Sequence, residues 1–261
     1  MVVAELLEAY DTQVRTALTN RLPPDWQVSW DGPLMRISGG YRGFVGYRDL
    51  AGRSGAELDA LIERTCAHFD ARDEAFEWKW HSHDEPADLA DRLLAAGFEP
   101  EELETVLIGS AAELTQAPPL PPEIRIVEVS TEAGLRRVGE LGSEVWDTDL
   151  SWLAEELIGR RRADPDEVTI YAAEAAGRYV SAAWVSFNPS TEFAGLWGGA
   201  TLADYRGRGI YRALVGVRAE LAVARGFRYL QVDASPDSEP ILRRLGFVAI
   251  TRTRPYVHQP R

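Results

Sequence analysis

Cysteine is almost absent: Cys66 is the only one among 261 residues. A single thiol excludes an internal disulfide and a thiolate metal cluster, and with them the small disulfide-stapled scaffolds. Long apolar runs are missing as well, since no stretch reaches the roughly 18 apolar residues a spanning helix needs. The opening Met1-Val-Val-Ala-Glu-Leu-Leu-Glu8 lacks the basic start and long apolar run of a secretory signal. The expectation is a soluble chain in a reducing cytoplasm, without a membrane partner. Basic residues are scarce: 28 Lys and Arg stand against 41 Asp and Glu, for a net charge of -13. The deficit is uneven. Residues 1–117 hold 10 basic and 22 acidic side chains, and the remainder holds 18 and 19. A field of this sign repels phosphate backbones, which argues against nucleic acid as a partner, but it does not repel a small amine.

What is present suffices for a sizeable core, with hydrophobic residues at 45%. Pro118, Pro119, Pro121 and Pro122 mark a linker, because proline lacks the amide donor that helices and central strands use. This divides the chain into a first domain, 1–116, a linker, 117–122, and a second domain, 123–261. In the second domain, alternation predicts strands over 123–129, 168–173, 179–188 and 193–202, then over 228–233 and 247–251. Helical spacing predicts helices over 131–146, 151–162, 209–225 and 238–245. The order β-α-α-β-β-β-α-β-α-β describes one α/β layer structure. In the first domain, strands over 42–50, 75–80 and 98–108 alternate with helices over 55–71 and 86–96. Leu93-Leu-Ala-Ala-Gly-Phe98 echoes Leu242-Arg-Arg-Leu-Gly-Phe247, which points to a tandem repeat of one fold. The same pattern also suits any helix-to-strand turn.

The segment richest in chemistry is Leu202-Ala-Asp-Tyr-Arg-Gly-Arg-Gly-Ile-Tyr-Arg-Ala-Leu214. A strand enters a tight loop with Gly207 and Gly209, and a long helix follows at once. The first turn of a helix has unpaired N–H groups and a partial positive charge. Glycines let the backbone wrap an anion, and Arg206, Arg208 and Arg212 add charge, which suits a diphosphate. Neither nucleotide motif fits: no Gly-Lys-Ser/Thr is present, and Arg212 stands where a dinucleotide fingerprint needs its third glycine. The bland reading is a helix start with exposed arginines.

Arg206-Gly-Arg-Gly-Ile-Tyr211 resembles the R/Q-x-x-G-x-G/A signature of the GNAT family of N-acetyltransferases. Ala234-Ser235 and Pro240-Ile-Leu-Arg-Arg-Leu-Gly-Phe247 resemble the family's next strand and helix, so the likeness spans about 123–251. The resemblance implies two GNAT-like α/β domains, each a central mixed, mostly antiparallel sheet flanked by helices. It implies acetyl-CoA as cosubstrate, no metal, and a monomer or homodimer. Thr201 and Leu202 would lie beside the pantetheine arm. Arg206, Gly207, Arg208, Gly209, Ile210, Tyr211 and Arg212 would hold the pyrophosphate, chiefly through main-chain amides. Tyr211 departs from the signature's final Gly/Ala, so its side chain must point away from the ligand. The glycines at 195, 198 and 199 suit the splay of central strands through which the family admits the thioester.

Transfer of an acyl group to an amine needs a base, an oxyanion donor and an acid for the thiolate. A strand amide at the splay would serve as donor. The family's usual Tyr acid is replaced by Leu242. Tyr205, Tyr211 or Ser235 could fill in, solvent could assist, or the domain could be a non-catalytic acyl-CoA binder. Ser235 could also touch the coenzyme. Glu192 stands near where some relatives carry a base, although a solvated turn residue reads equally well. Asp233 reads as a turn or cap residue. Between the first two helices, Trp146, Asp147, Asp149 and Trp152 could hold and wall an ammonium group. Alternatively, Asp149 caps a helix and Trp152 joins the core. His81 and His83 alternate at a strand end and read as surface residues rather than metal ligands. Gly52-Arg-Ser-Gly55 occupies the place of the pyrophosphate loop in the first domain, yet Glu57, Asp59 and Glu63 follow it, so poor coenzyme binding is expected there. The activity implied is acetyl transfer to a small-molecule amine, with a sensor role or protein N-acetylation as alternatives.

Overall fold

A computed structural model of the chain describes residues 2–17 and 22–260. In chain order, the first half forms α1 (Val3–Gln13), β1 (Gln27–Asp31), β2 (Leu34–Ser38), β3 (Gly43–Gly46), α2 (Gly55–Asp70), β4 (Phe76–His81), α3 (Leu89–Ala95), β5 (Glu99–Pro100) and β6 (Glu104–Ser110). The second half forms β7 (Ile124–Glu128), α4 (Glu132–Trp146), α5 (Ser151–Ala163), β8 (Val168–Ala175), β9 (Arg178–Phe187), β10 (Phe193–Thr201), α6 (Ile210–Ala224), β11 (Tyr229–Ala234), α7 (Glu239–Leu245) and β12 (Val248–His258). The proline-rich stretch between the halves is irregular. Among the described residues no helix is long and apolar enough to cross a membrane.

Local chemistry accounts for these elements. Helix α2 buries Leu58, Leu61, Ile62, Thr65, Cys66 and Phe69, the i, i+3, i+4 stripe of a core-facing helix. Helix α4 is capped by Thr131, whose hydroxyl accepts from the Gly134 amide at 3.1 Å, and it ends at Asp147 in the left-handed region. The two echoed turns have the same hydrogen bonds. The Phe98 amide reaches Leu93 O at 3.1 Å and the Phe247 amide reaches Leu242 O at 3.1 Å, each across a glycine with positive φ. This six-to-one closure ends both helices and starts the segment that leads into the next strand.

The two halves share one mixed sheet of 12 strands, ordered β1-β2-β3-β4-β12-β6-β11-β10-β9-β8-β7, with β5 paired to β12. Each half repeats a motif in which a helix joins two parallel strands: β3 to β4 through α2, and β10 to β11 through α6. Every other pairing is antiparallel. The closing strands are exchanged: β6 of the first half lies against β11, and β12 of the second half lies against β4. Strands β6 and β12 pair with each other at the centre. Helix α1 covers this junction, with Leu6 and Tyr10 packed on Val106, Ile108, Phe193 and Ile250.

The structure departs from the sequence reading in several places. Residues 1–41, left without elements, supply α1, β1 and β2. The helix expected over 86–96 begins only at Leu89, and the strand expected over 98–108 is interrupted between Pro100 and Glu104. The last strand does not stop at 251. It runs through Pro255, which is tolerated because β12 there has left β6 and moved onto β5. His81, expected at the surface, is buried, because β4 is interior to the shared sheet.

Candidate active site

The strand–loop–helix segment forms a cradle of backbone at the start of α6. Gly207 and Gly209 have φ of +74° and +80°, a region that glycine enters without steric cost. No side chain caps Gly209, and the first intrahelical bond of α6 is Ala213 N to Gly209 O at 3.0 Å. The amides of Ile210, Tyr211 and Arg212 precede that bond and point out of the helix start. Arg206, Arg208 and Arg212 are exposed around it. Arg206 donates to Thr201 O at 3.1 Å and Arg208 to Asp204 O at 3.0 Å, contacts that brace the loop and leave donors to spare. Tyr211 turns inward: a Cβ on Gly199 would lie 2.7 Å from its ring, and burial pushes its hydroxyl pKa up.

Beside the cradle the sheet opens. Strands β10 and β11 pair only from Phe193/Tyr229 to Gly195/Gln231 and then diverge. On its other side, β10 slips register against β9 between Trp197 and Ala200, so Gly198 and Gly199 have no register partner. Gly198 sits at φ +66° under Trp184, where a Cβ would come 1.8 Å from the indole. The bulge is held from below by Arg218 of α6, 2% exposed. Arg218 donates to Leu214 O at 2.7 Å, Trp184 O at 3.1 Å and Trp197 O at 3.4 Å. Burial pushes this guanidinium down to about 10, Tyr211 raises it only partly, and among the described residues no carboxylate pairs with it.

On the face of the sheet opposite α6, a cavity of about 510 Å³ lies between the halves. Its walls include Trp184 from β9, Trp197, Gln231 and Asp233 from the diverging strands and Trp152 and Glu156 from α5, with Tyr41 and Lys79 from the first half. Lys79, the only lysine of the chain, reaches across the junction to Asp233 at 2.7 Å. Burial alone would lower the ammonium pKa. Asp233, Glu77 and Glu104 outweigh burial and hold it above the ordinary lysine range. At the mouth, Tyr41 stacks on Trp152 with ring centroids 3.9 Å apart and 13° between planes.

The residues singled out in the sequence fall into three groups. Thr201 through Arg212 lie together around the cradle, with Thr201 bonded to Ser181 and Leu202 buried beside it. Trp152 lines the cavity, but its three companions do not. Trp146 is exposed, Asp147 forms the left-handed end of α4, and Asp149 accepts from the Ser151 amide at 2.9 Å, which lowers its carboxyl pKa. Glu192 is not brought to the opening. It immediately precedes β10, at the opposite end from the loop, where Arg228 at 2.8 Å and Gln13 at 3.1 Å depress its carboxyl pKa. Ser235 is engaged in the turn into α7, its hydroxyl 3.3 Å from the Ser238 amide, and Leu242 is core. His81 bonds Tyr10 at 3.0 Å and His83 bonds Asp11 at 3.1 Å, so both rings serve the junction.

Sequence reasoning did not reach Lys79, Glu156, Tyr41 or Arg218. Two carried a signal: Lys79 is unique in the chain, and Arg218 interrupts the apolar face of α6 one turn after Leu214.

A family model described as the acetyltransferase (GNAT) family matches residues 129–247. No curated protein matches the sequence. Solved structures share the fold over nearly the whole chain. A GCN5-related N-acetyltransferase from Kribbella flavida has 16% identity and a TM-score of 0.66, covering 98% of this chain and 95% of its own. A tandem GNAT protein from the clavulanic acid biosynthesis pathway has 14% identity and a TM-score of 0.63, covering 98% and 94%. A functionally unknown conserved protein from Staphylococcus epidermidis has 11% identity and a TM-score of 0.66, covering 97% and 98%.

Proposed function

We propose that this chain, which belongs to the GNAT acetyltransferase family through residues 129–247 and has the tandem GNAT fold, transfers an acetyl group from acetyl-CoA to the amine of a small molecule. The observation that carries the reading is the cradle beside the opening. A glycine loop with uncapped helix amides lies on one face, and it adjoins the place where β10 and β11 part. The residues present fit a coenzyme diphosphate: two left-handed glycines leave room, three arginines supply charge, and no acidic side chain occupies the helix start. Bound coenzyme would supply an acyl group activated as a thioester, whose C–S bond breaks as the amide C–N bond forms and the amine nitrogen gives up its proton to solvent.

The chain's own groups then divide the remaining work. Gly198 and Gly199, without register partners, supply amides for the negative charge that develops on the acyl oxygen. The Arg218 guanidinium keeps the Trp197 carbonyl occupied from the α6 side and so holds the bulge in shape. The cavity on the far face receives the amine and excludes water. With Leu242 at the usual tyrosine position, no hydroxyl from α7 protonates the thiolate, and release relies on solvent at the cradle. The first half closes the cavity rather than binding coenzyme. The groove between α2 and α3 carries Asp59, Glu63, Asp70, Asp88 and Asp91 against one arginine, Arg92, a balance that repels phosphates.

The test is calorimetric titration of acetyl-CoA into the parent and a Gly209→Glu variant. A side chain at φ +80° strains the loop, and a carboxylate there opposes phosphate. Micromolar binding to the parent, about -8 kcal/mol, with loss in the variant is the expected result. No binding to the parent would refute the reading.

A further inference from the structure

The charges around the cavity are mostly committed to one another. Asp233 is taken by Lys79 at 2.7 Å, Glu77 by Arg42 at 2.8 Å, Glu167 by Arg160 at 2.5 Å, and Arg15 by Asp84 at 2.7 Å. Glu156 is the exception. It lines the cavity, accepts no hydrogen bond among the described residues, and has its nearest cation, Arg160, at 3.9 Å, already bidentate on Glu167. Burial pushes the Glu156 carboxyl pKa up; Arg160 offsets this in part and Glu167 adds to it. One helical turn before it on α5, Trp152 faces the same space, stacked on Tyr41, and Trp184 and Trp197 form the wall nearest the opening. Trp197 is 45% exposed and Tyr41 58%, so these rings present faces rather than being wholly consumed by packing.

We infer that the acceptor is a monoamine on a flat apolar body, an arylalkylamine in chemical class, with its ammonium on Glu156 and its body among Trp152, Trp184 and Trp197. This rests on the acyl-transfer reading above for its chemistry, but the cavity argument is independent of the coenzyme cradle. One uncommitted carboxylate matches one ammonium. A polyamine or an aminoglycoside would bring further charges into a cavity whose other carboxylates are paired, and each would be desolvated without compensation. Aromatic faces add attraction for a cation and for a planar ring. The volume suits a ligand of small-molecule size rather than a protein segment.

The experiment titrates phenethylamine, 2-phenylethanol, spermidine and a lysine tetrapeptide into the full chain, with and without acetyl-CoA, and repeats the series on Glu156→Gln and Trp152→Leu. Phenethylamine is expected to bind at least tenfold more tightly than 2-phenylethanol or spermidine. In Glu156→Gln the amine should fall at least tenfold, to the level of the alcohol, while alcohol and acetyl-CoA binding stay unchanged; that constancy also reports an intact fold. Trp152→Leu should weaken amine and alcohol alike. Tighter binding of spermidine or the peptide, or an amine preference that survives Glu156→Gln, overturns the inference. Phenethylamine binding without acetyl-CoA binding would sink the acyl-transfer reading and leave Glu156 and the tryptophans as an amine-binding site. The reverse pattern would sink only the present inference.

Discussion

Glu104 sits on β6 where the two halves meet, and its carboxyl pKa is pushed from the ordinary 4.5 up to about 7. Burial is the leading cause; Lys79 opposes it, and the negative charges of Asp233, Glu77 and Glu102 reinforce it. Between those two pH values the folded chain holds a proton that the unfolded chain has released. The folded state therefore binds more protons, and stability falls as pH rises from about 4.5 to about 7. Glu104→Gln removes this term. Its unfolding free energy, measured by denaturant titration, should match the parent near pH 4.5 and exceed it at pH 8, by an amount on the order of 1–3 kcal/mol. A parent and variant that differ equally at both pH values would contradict the assignment. At this scale the sequence is only partly legible. Lys79 is conspicuous as a lone lysine, yet its partner Asp233 lies 154 positions away, and nothing local foretells that β4 faces the end of β11. Glu156 reads as one more acid on an exposed helix face until the first half is laid against it. Asp147 and Asp149 mislead for the opposite reason, because their short-range turn chemistry satisfies them where they stand.

At the scale of elements, the strand–loop–helix unit is the most legible part of the molecule, because its chemistry is written in consecutive residues. Glycines at the left-handed positions, arginines between and beside them and an apolar helix behind require no long-range partner. The bulge in β10 is less so: Gly198 and Gly199 signal irregularity, but what needs the space is Trp184 on one side and Tyr211 on the other. This gives a direct test. Gly198→Ala places a methyl at φ +66° and 1.8 Å from the Trp184 ring, so the indole must move or the bulge must flatten. The cost should be about 3 kcal/mol, from backbone strain and overpacking together. Turnover should fall at least tenfold while acetyl-CoA binding changes little, since the cradle lies further along the chain. Equal loss of both would mean that bulge and cradle form one unit. Arg218 belongs to this scale too. A charge on the inner face of α6 looks like an error of pattern, and it is accounted for by the two carbonyls at the edge of the bulge, Trp184 O and Trp197 O, to which it donates.

For the whole molecule, exchange of the closing strands ties the halves together more tightly than a linker between two domains suggests. Six register pairs join β6 to β11 and six join β12 to β4, and neither strand pairs with the parallel strand of its own half. The echo of Leu93–Phe98 in Leu242–Phe247 is enough to reveal the repeat, but both copies carry the same local signal whether the following strand stays home or crosses over. Hydrophobic alternation fixes which face a strand buries, not which neighbour it takes. The consequence concerns stability. Without residues 104–110, the second half exposes an edge along β11, and without residues 248–258, the first half exposes one along β4, each apolar on at least one face. Residues 1–116 and 117–261 produced separately should therefore be insoluble or aggregated, and production of both together should recover a one-to-one complex. The intact chain should unfold in a single calorimetric transition with calorimetric and van't Hoff enthalpies in agreement. Two resolved transitions, or halves that are soluble and cooperatively folded alone, would show that the exchanged strands are dispensable. The cavity between the halves would then owe its shape to packing of α1 and α5 rather than to the shared sheet.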